Sequence, residues 1–229
     1  MGFFSGVLGG FEMAANIFPD LYQFSIDIKP MNFTIHQYLL LSDTPILVST
    51  GPAGYSAGLL PEITRLLGGR EPAYILVSHM ESDECGGLSV FLNKYPDVIT
   101  VCSHLCAREL PGFGYEGKIL PRRQGDVLEE SGFSLRFIDY PSEVHLQNGL
   151  AFYEETRGIF FSGDLMLRFG DAVGKTAEAS WTDEVKAINT ERVPSAEKLA
   201  ALKDSLLALN PAFIAVGHGY CVRCSRPGR

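Results

Sequence analysis

The apolar positions of this chain fall into short strand-like runs and a few helical faces. Residues 21–28, 33–41 and 46–49 are brief runs separated by Pro and Asp turns, which predicts an antiparallel opening meander. A helix is expected over 57–67 and a strand over 73–77. Leu88, Phe91, Leu92 and Tyr95 then recur at i, i+3, i+4 and i+7, one helical face that Pro96 ends. A strand at 98–101, a short helix at 103–110 and an irregular stretch come next. Phe133, Leu135 and Phe137 alternate as in a half-buried strand leading towards His145. Residues 150–153 and 159–162 predict a hairpin ending at Gly163 and Asp164. Ser195 is placed to cap a helix on which Leu199, Leu202, Leu206 and Leu209 share a face, and a strand at 213–216 ends at Gly217 and His218.

The polar residues that carry chemistry sit just past these strands. His79, Glu81 and Asp83 stand at alternating positions after the 73–77 strand, with Glu84 adjoining and Gly86 and Gly87 beyond. His145, Asp164 and His218 follow later strands, in the loops where a sheet scaffold presents function. Gly149, Gly163, Gly217 and Gly219 stand near them and let backbone approach a buried centre. Asp164 follows the apolar run 159–161, and a carboxylate there is costly unless it is paired or bound to a metal. Two imidazole-and-carboxylate clusters drawn from four loops predict a site for two metal ions.

Composition narrows the alternatives. With 229 residues, 46% of them hydrophobic, the chain can bury one sizeable core, and no linker, repeat or low-complexity segment divides it. A formal charge of −8 disfavours a nucleic-acid surface. The apolar start has no Lys or Arg before Lys29, so no secretory signal is expected, and Gly6 stands where a myristoylation motif needs Ser or Thr. No apolar run approaches the roughly 20 residues that span a bilayer, so the expectation is a soluble, cytoplasmic protein without membrane partners. Five cysteines are an odd number for a disulfide framework and are expected to be reduced. Cys102 and Cys106 read as packing residues and His104 as structural. The Cys221 and Cys224 pair is open between a redox dithiol, half of a small metal site and an incidental tail pair.

The order HxExD, then His, Asp and His, resembles the metallo-β-lactamase fold superfamily, and Glu81 resembles its flavodiiron and oxygen-binding di-iron branch. The likeness runs from about Phe18 to Tyr220. It implies an α/β (α+β) fold, a four-layer αββα sandwich, here as one domain over residues 1–229, with the metals at one edge of two sheets. It also implies that His79, Glu81 and His145 hold one metal, that Asp83 and His218 hold the other, and that Asp164 bridges. Glu84 stands where the family motif commonly has His, which leaves open whether it ligates, reaches through water or points away. His36 is a candidate second-sphere residue. Ser49 and Thr50 stand where an acid usually closes the third strand, which removes one expected contact to the ligands.

Two imidazoles and a carboxylate are a ligand set typical of non-haem ferrous iron, so two Fe ions are expected, with Zn as the alternative. Three carboxylates against a diferrous pair favour redox cycling. The implied function is binding of O2 or NO, with reduction by an external donor, flavoprotein or rubredoxin-like. The alternatives are an oxygen sensor signalling through a partner protein and a zinc hydrolase of an ester, thioester or lactone. Only eleven residues follow His218, so neither a flavodoxin domain nor bound flavin is expected, and a homodimer is left open.

Overall fold

The computed structural model describes residues 12–142, 147–170 and 172–225. Its first sheet takes the strands in chain order: β1 (Glu12–Phe18), β2 (Leu21–Ile28), β3 (Phe33–Leu40), β4 (Ile46–Val48), β5 (Tyr74–Leu76), β6 (Ile99–Ser103) and β7 (Lys118–Arg122). Pairing is antiparallel from β1 to β4 and parallel from β4 to β7. The second sheet is built from β8 (Val127–Glu130), β9 (Phe133–Ser142), β10 (Gln147–Glu154), β11 (Ile159–Gly163), β12 (Thr176–Ser180), β13 (Phe213–Val216) and β14 (Cys221–Ser225). Its order is β12-β14-β13-β11-β10-β9-β8.

Side-chain parity explains the layers. On β4, Ile46 and Val48 join the core that includes Phe137, Phe152 and Phe161 of the facing sheet. Leu47 between them belongs to a second core with Leu39, Ile75 and Val77, packed against α1 (Ala53–Leu67) and α3 (Leu88–Lys94) through Leu59, Ile63 and Phe91. Strands buried on both faces read as unbroken apolar runs, as these do. The second sheet repeats the rule on β11: the Phe161 ring meets Tyr38 at 5.6 Å, while Phe160 meets Trp181 of α5 (Trp181–Ala187) at 5.1 Å. Trp181 also donates Nε1 to the carbonyl of Leu206 on α6 (Ala196–Leu207), at 2.9 Å, and this joins the two helices over the sheet. The result is the expected αββα sandwich.

The predicted strands and helices are present with shifted ends: α1 begins at Ala53 rather than at 57, and the short helix expected at 103–110 is α4 (His104–Glu109). The stretch expected to be irregular after residue 110 holds β7 and β8. The CxxC lies on β14, where residues three apart face opposite sides of the sheet. Cys221 Sγ lies 3.3 Å from the Tyr38 hydroxyl between the sheets, and Cys224 faces away from it. A disulfide between these two sulfurs, and with it a redox dithiol pair, is therefore excluded. Among the described residues, no helix is long and apolar enough to cross a membrane.

Candidate metal centre

Three strand ends deliver the described polar residues to one edge of the sandwich. His79 follows β5, and Glu81 is the N-cap of the short helix α2 (Ser82–Cys85), which places Asp83 and Glu84 in its first turn. Asp164 opens a single 3₁₀ turn directly after β11. It follows Gly163, whose φ of +50° and ψ of −133° suit glycine. His218 follows β13.

The donors converge. His79 Nε2 lies 3.7 Å from Glu81 Oε1 and 3.6 Å from Asp164 Oδ2. These three residues offer ligand atoms within 4.8 Å of one another. His218 Nε2 lies 3.2 Å from Asp83 Oδ2 and 3.0 Å from Asp164 Oδ1. The two oxygens of Asp164 thus address different histidines. His145 lies outside the described residues.

Hydrogen bonding sets the orientation of the rings. His218 Nδ1 is 2.9 Å from the Thr34 carbonyl, which can only accept, so Nδ1 carries the proton. A neutral His218 would aim its Nε2 lone pair at two carboxylates, and that arrangement calls for a cation between them. Without a metal, the cation is a proton. Burial pulls His218 down, but Asp164 and Asp83 outweigh it and push its pKa up to about 10. Burial likewise opposes charge on His79, and the Glu81, Glu84 and Asp164 carboxyls together push it up to about 9. Asp164 Oδ1 is buried without a hydrogen bond, although His218 Nε2 lies 3.0 Å away, because a His218 protonated on Nδ1 alone turns a second acceptor towards it. An orphaned carboxylate oxygen beside an imidazole nitrogen, within a set of three acids, fits a divalent cation.

Glu84 takes a different direction. Its carboxyl is 2% exposed, and Oε2 accepts a 2.5 Å hydrogen bond from Ser49 Oγ. Ser49 holds the left-handed φ of +59° after β4. Burial is the main reason that the Glu84 carboxyl is held above the usual range.

His36 does not meet the donors either. Its Nε2 donates to the Gly219 carbonyl at 2.7 Å, so Nδ1 accepts from Ser25 Oγ at 2.8 Å. Its main-chain N–H donates to the Gly217 carbonyl at 2.8 Å. His36 therefore grips both residues that flank His218.

Supporting contacts from three residues, Thr34, Phe33 and Ser78, were not anticipated from the sequence. Thr34 accepts from His218 and, through Oγ1, from the Gly219 N–H. Phe33 stacks on the His218 ring at 4.3 Å. Ser78 Oγ lies 2.6 Å from His79 Nδ1. For Thr34, the signal available was its alternation with His36 and Tyr38 on β3.

A family model described as ODP family beta lactamase matches residues 33–219, which include every described residue of this centre. The chain belongs to that ODP beta-lactamase family. Among curated proteins, this family member is 24% identical over 132 residues to the anaerobic nitric oxide reductase flavorubredoxin of Aliivibrio salmonicida, a match covering 56% of the chain and 26% of that protein. Among solved structures it resembles the rubredoxin oxygen:oxidoreductase of Desulfovibrio gigas, with TM-score 0.77 and 18% identity over 93% of this chain and 58% of that one. It also resembles the flavodiiron protein of Giardia intestinalis, with TM-score 0.75 and 16% identity over 93% and 56%. The ODP-family chain thus spans about a quarter of the length of the curated relative and somewhat over half of these solved chains.

Proposed function

We propose that this protein holds two iron ions and binds O2 or NO there, reducing it with electrons from an external flavoprotein or rubredoxin-like donor. The observation that carries the reading is the double engagement of Asp164, one oxygen 3.0 Å from His218 Nε2 and the other 3.6 Å from His79 Nε2. In this reading His79 and Glu81 hold one iron, joined by His145 as the family resemblance implies. Asp83 and His218 hold the other, and Asp164 bridges. Iron at such a site supplies one-electron exchange and an open position for a diatomic ligand. The residues supply the rest. The three anionic donors favour the higher oxidation state, and Glu81 occupies the position where a neutral imidazole would suit hydrolytic zinc.

Thr34 and Ser78 fix the ring orientations of His218 and His79, and Phe33 covers the His218 ring. The Glu81 side chain is 46% exposed, against 8% for His79 and 2% for His218, which supports an approach for a small ligand on the Glu81 side. The names of the similar proteins, a nitric oxide reductase and an oxygen:oxidoreductase, support the same chemistry.

The test is gas uptake by chemically reduced protein under anaerobic mixing. Stoichiometric consumption of O2 or NO is expected, sustained once a reductase system is added. No uptake, together with ester, thioester or lactone hydrolysis, would replace this reading with the hydrolase. Uptake without turnover under any donor would favour the sensor.

A further inference from the structure

Glu84 is the acid of the motif whose carboxyl leaves the converging donors, and its surroundings give it a different task. While Oε2 is bound to Ser49, Oε1 lies beneath the main chain at Gly217. A Cβ on Gly217 would stand 3.4 Å from Oε1 and 3.2 Å from the Gly163 carbonyl. Ser78, the partner of His79 Nδ1, lines the same internal cavity as Glu84, together with Ser49, His36, Gly163 and Gly217. About 10 Å³ of that cavity is open to the centre of a water molecule, room for about one. The rest of the lining, with Val48, Phe152, Phe161 and Ala215, is apolar, so a water there would be held by the polar groups of Glu84, Ser78 and their neighbours.

The proton count leads from the cavity to the metal. When His79 Nε2 gives its lone pair to a metal, Nδ1 carries the proton and donates to Ser78 Oγ. The Ser78 hydroxyl must then place its own proton; the Tyr140 hydroxyl is one partner within its reach, and the buried carboxyl of Glu84, across one water in the cavity, is the other. We propose that Glu84, one internal water and Ser78 form a hydrogen-bonded relay to His79 Nδ1, which makes Glu84 and Ser78 positioning residues for the first metal's histidine and not ligands. The inference rests on reading the centre as a metal site. A carboxyl behind a ligating imidazole fixes its tautomer and raises its basicity, and losing such a partner typically weakens metal binding 10- to 100-fold.

Cobalt(II) tests the relay independently of the native metal. Its affinity is measured by chelator competition, and its visible spectrum reports the coordination. Ser78→Ala and Glu84→Leu are each expected to weaken binding at the tighter site by roughly 10- to 100-fold. The double variant should lose little beyond the weaker single, because both changes cut one chain. Glu84→Gln, which keeps an acceptor, should restore most of the affinity. Tyr140→Phe should match the wild type, although the Tyr140 hydroxyl is also close to Gly163. A Glu84→Leu protein that binds cobalt like the wild type would overturn the relay, as would losses that multiply in the double variant or an effect confined to Tyr140→Phe. If the leucine variant does not fold, a high-resolution crystal structure of the cobalt-loaded wild type decides. One water bonded to both Glu84 Oε1 and Ser78 Oγ is expected, and a Glu84 oxygen on the metal would refute it. Iron or zinc content as isolated bears on the proposed function alone, so the two readings fail separately.

Discussion

Acid should weaken this protein through His36, the residue that holds the loop carrying His218. The side chain is 1% exposed and grips Gly219 through Nε2, while its main chain grips Gly217. Burial is the largest influence and lowers its pKa to about 4, against a partial opposing pull from the Gly219 carbonyl. The unfolded chain takes up the corresponding proton near 6.5. The stability that neutral His36 contributes is therefore present above pH 6.5 and lost as the pH falls towards 4. At about 1.4 kcal/mol per pH unit, the full loss is about 3 kcal/mol, of which about 2 kcal/mol has gone by pH 5. His79 and His218, whose pKa values are raised in the metal-free protein, stabilise it below 6.5 and lose that effect as the pH rises through about 9 to 10. They add no slope in the acid window. The assay is urea unfolding of metal-free wild type and His36→Gln from pH 8 to pH 4.5, so that the slopes of shared carboxylates cancel. The stability gap between the two should close by about 2 kcal/mol between pH 7 and pH 5. Parallel curves would refute the argument.

Three further outcomes follow from the same geometry. Asp164→Asn should lose the paired metals at a concentration that still saturates Glu84→Gln, and equal stoichiometry in the two variants would remove the bridging role. Gly163→Ala places a Cβ 2.8 Å from Ser78 Oγ at a φ of +50° and should cost about 1–3 kcal/mol in urea unfolding, whereas an unchanged midpoint would contradict the strain. Metal binding should displace about two protons from His79 and His218 at pH 7 and few above pH 10, read by calorimetry in buffers of different ionisation enthalpy; release that does not vary with pH would contradict the raised values.

The sequence announced the middle of each sheet and missed its margins. Runs such as those of β3, β5, β11 and β13 are apolar because both faces are covered, and all were anticipated. Five strands were unanticipated: β1, β7, β8 and β12 are the four edges, and β14, the last strand, lies just inside one of them. Edge strands need not be apolar. Sequence KILPR carries Pro121, tolerated where one side of the ladder has no partner, and VLEE and TAEAS are mostly polar or small. Among the described donors, His79, Glu81, Asp83, Asp164 and His218 were legible because each follows a strand, so one topology brings them to one edge. Thr34 and Ser49 were not, because their roles arise from contacts across sheets and loops. Thr34 meets a histidine 184 residues away. The direction of Glu84 also depends on tertiary contact, since Ser49 draws its carboxyl inward.

The central claim is a di-iron centre, and the most direct measurement is the metal content of protein produced with iron and zinc both available, followed by Mössbauer spectroscopy of the iron-57 form. The account predicts close to two irons per chain with spectra of a coupled pair. Two zincs per chain, or a single uncoupled iron, would contradict it.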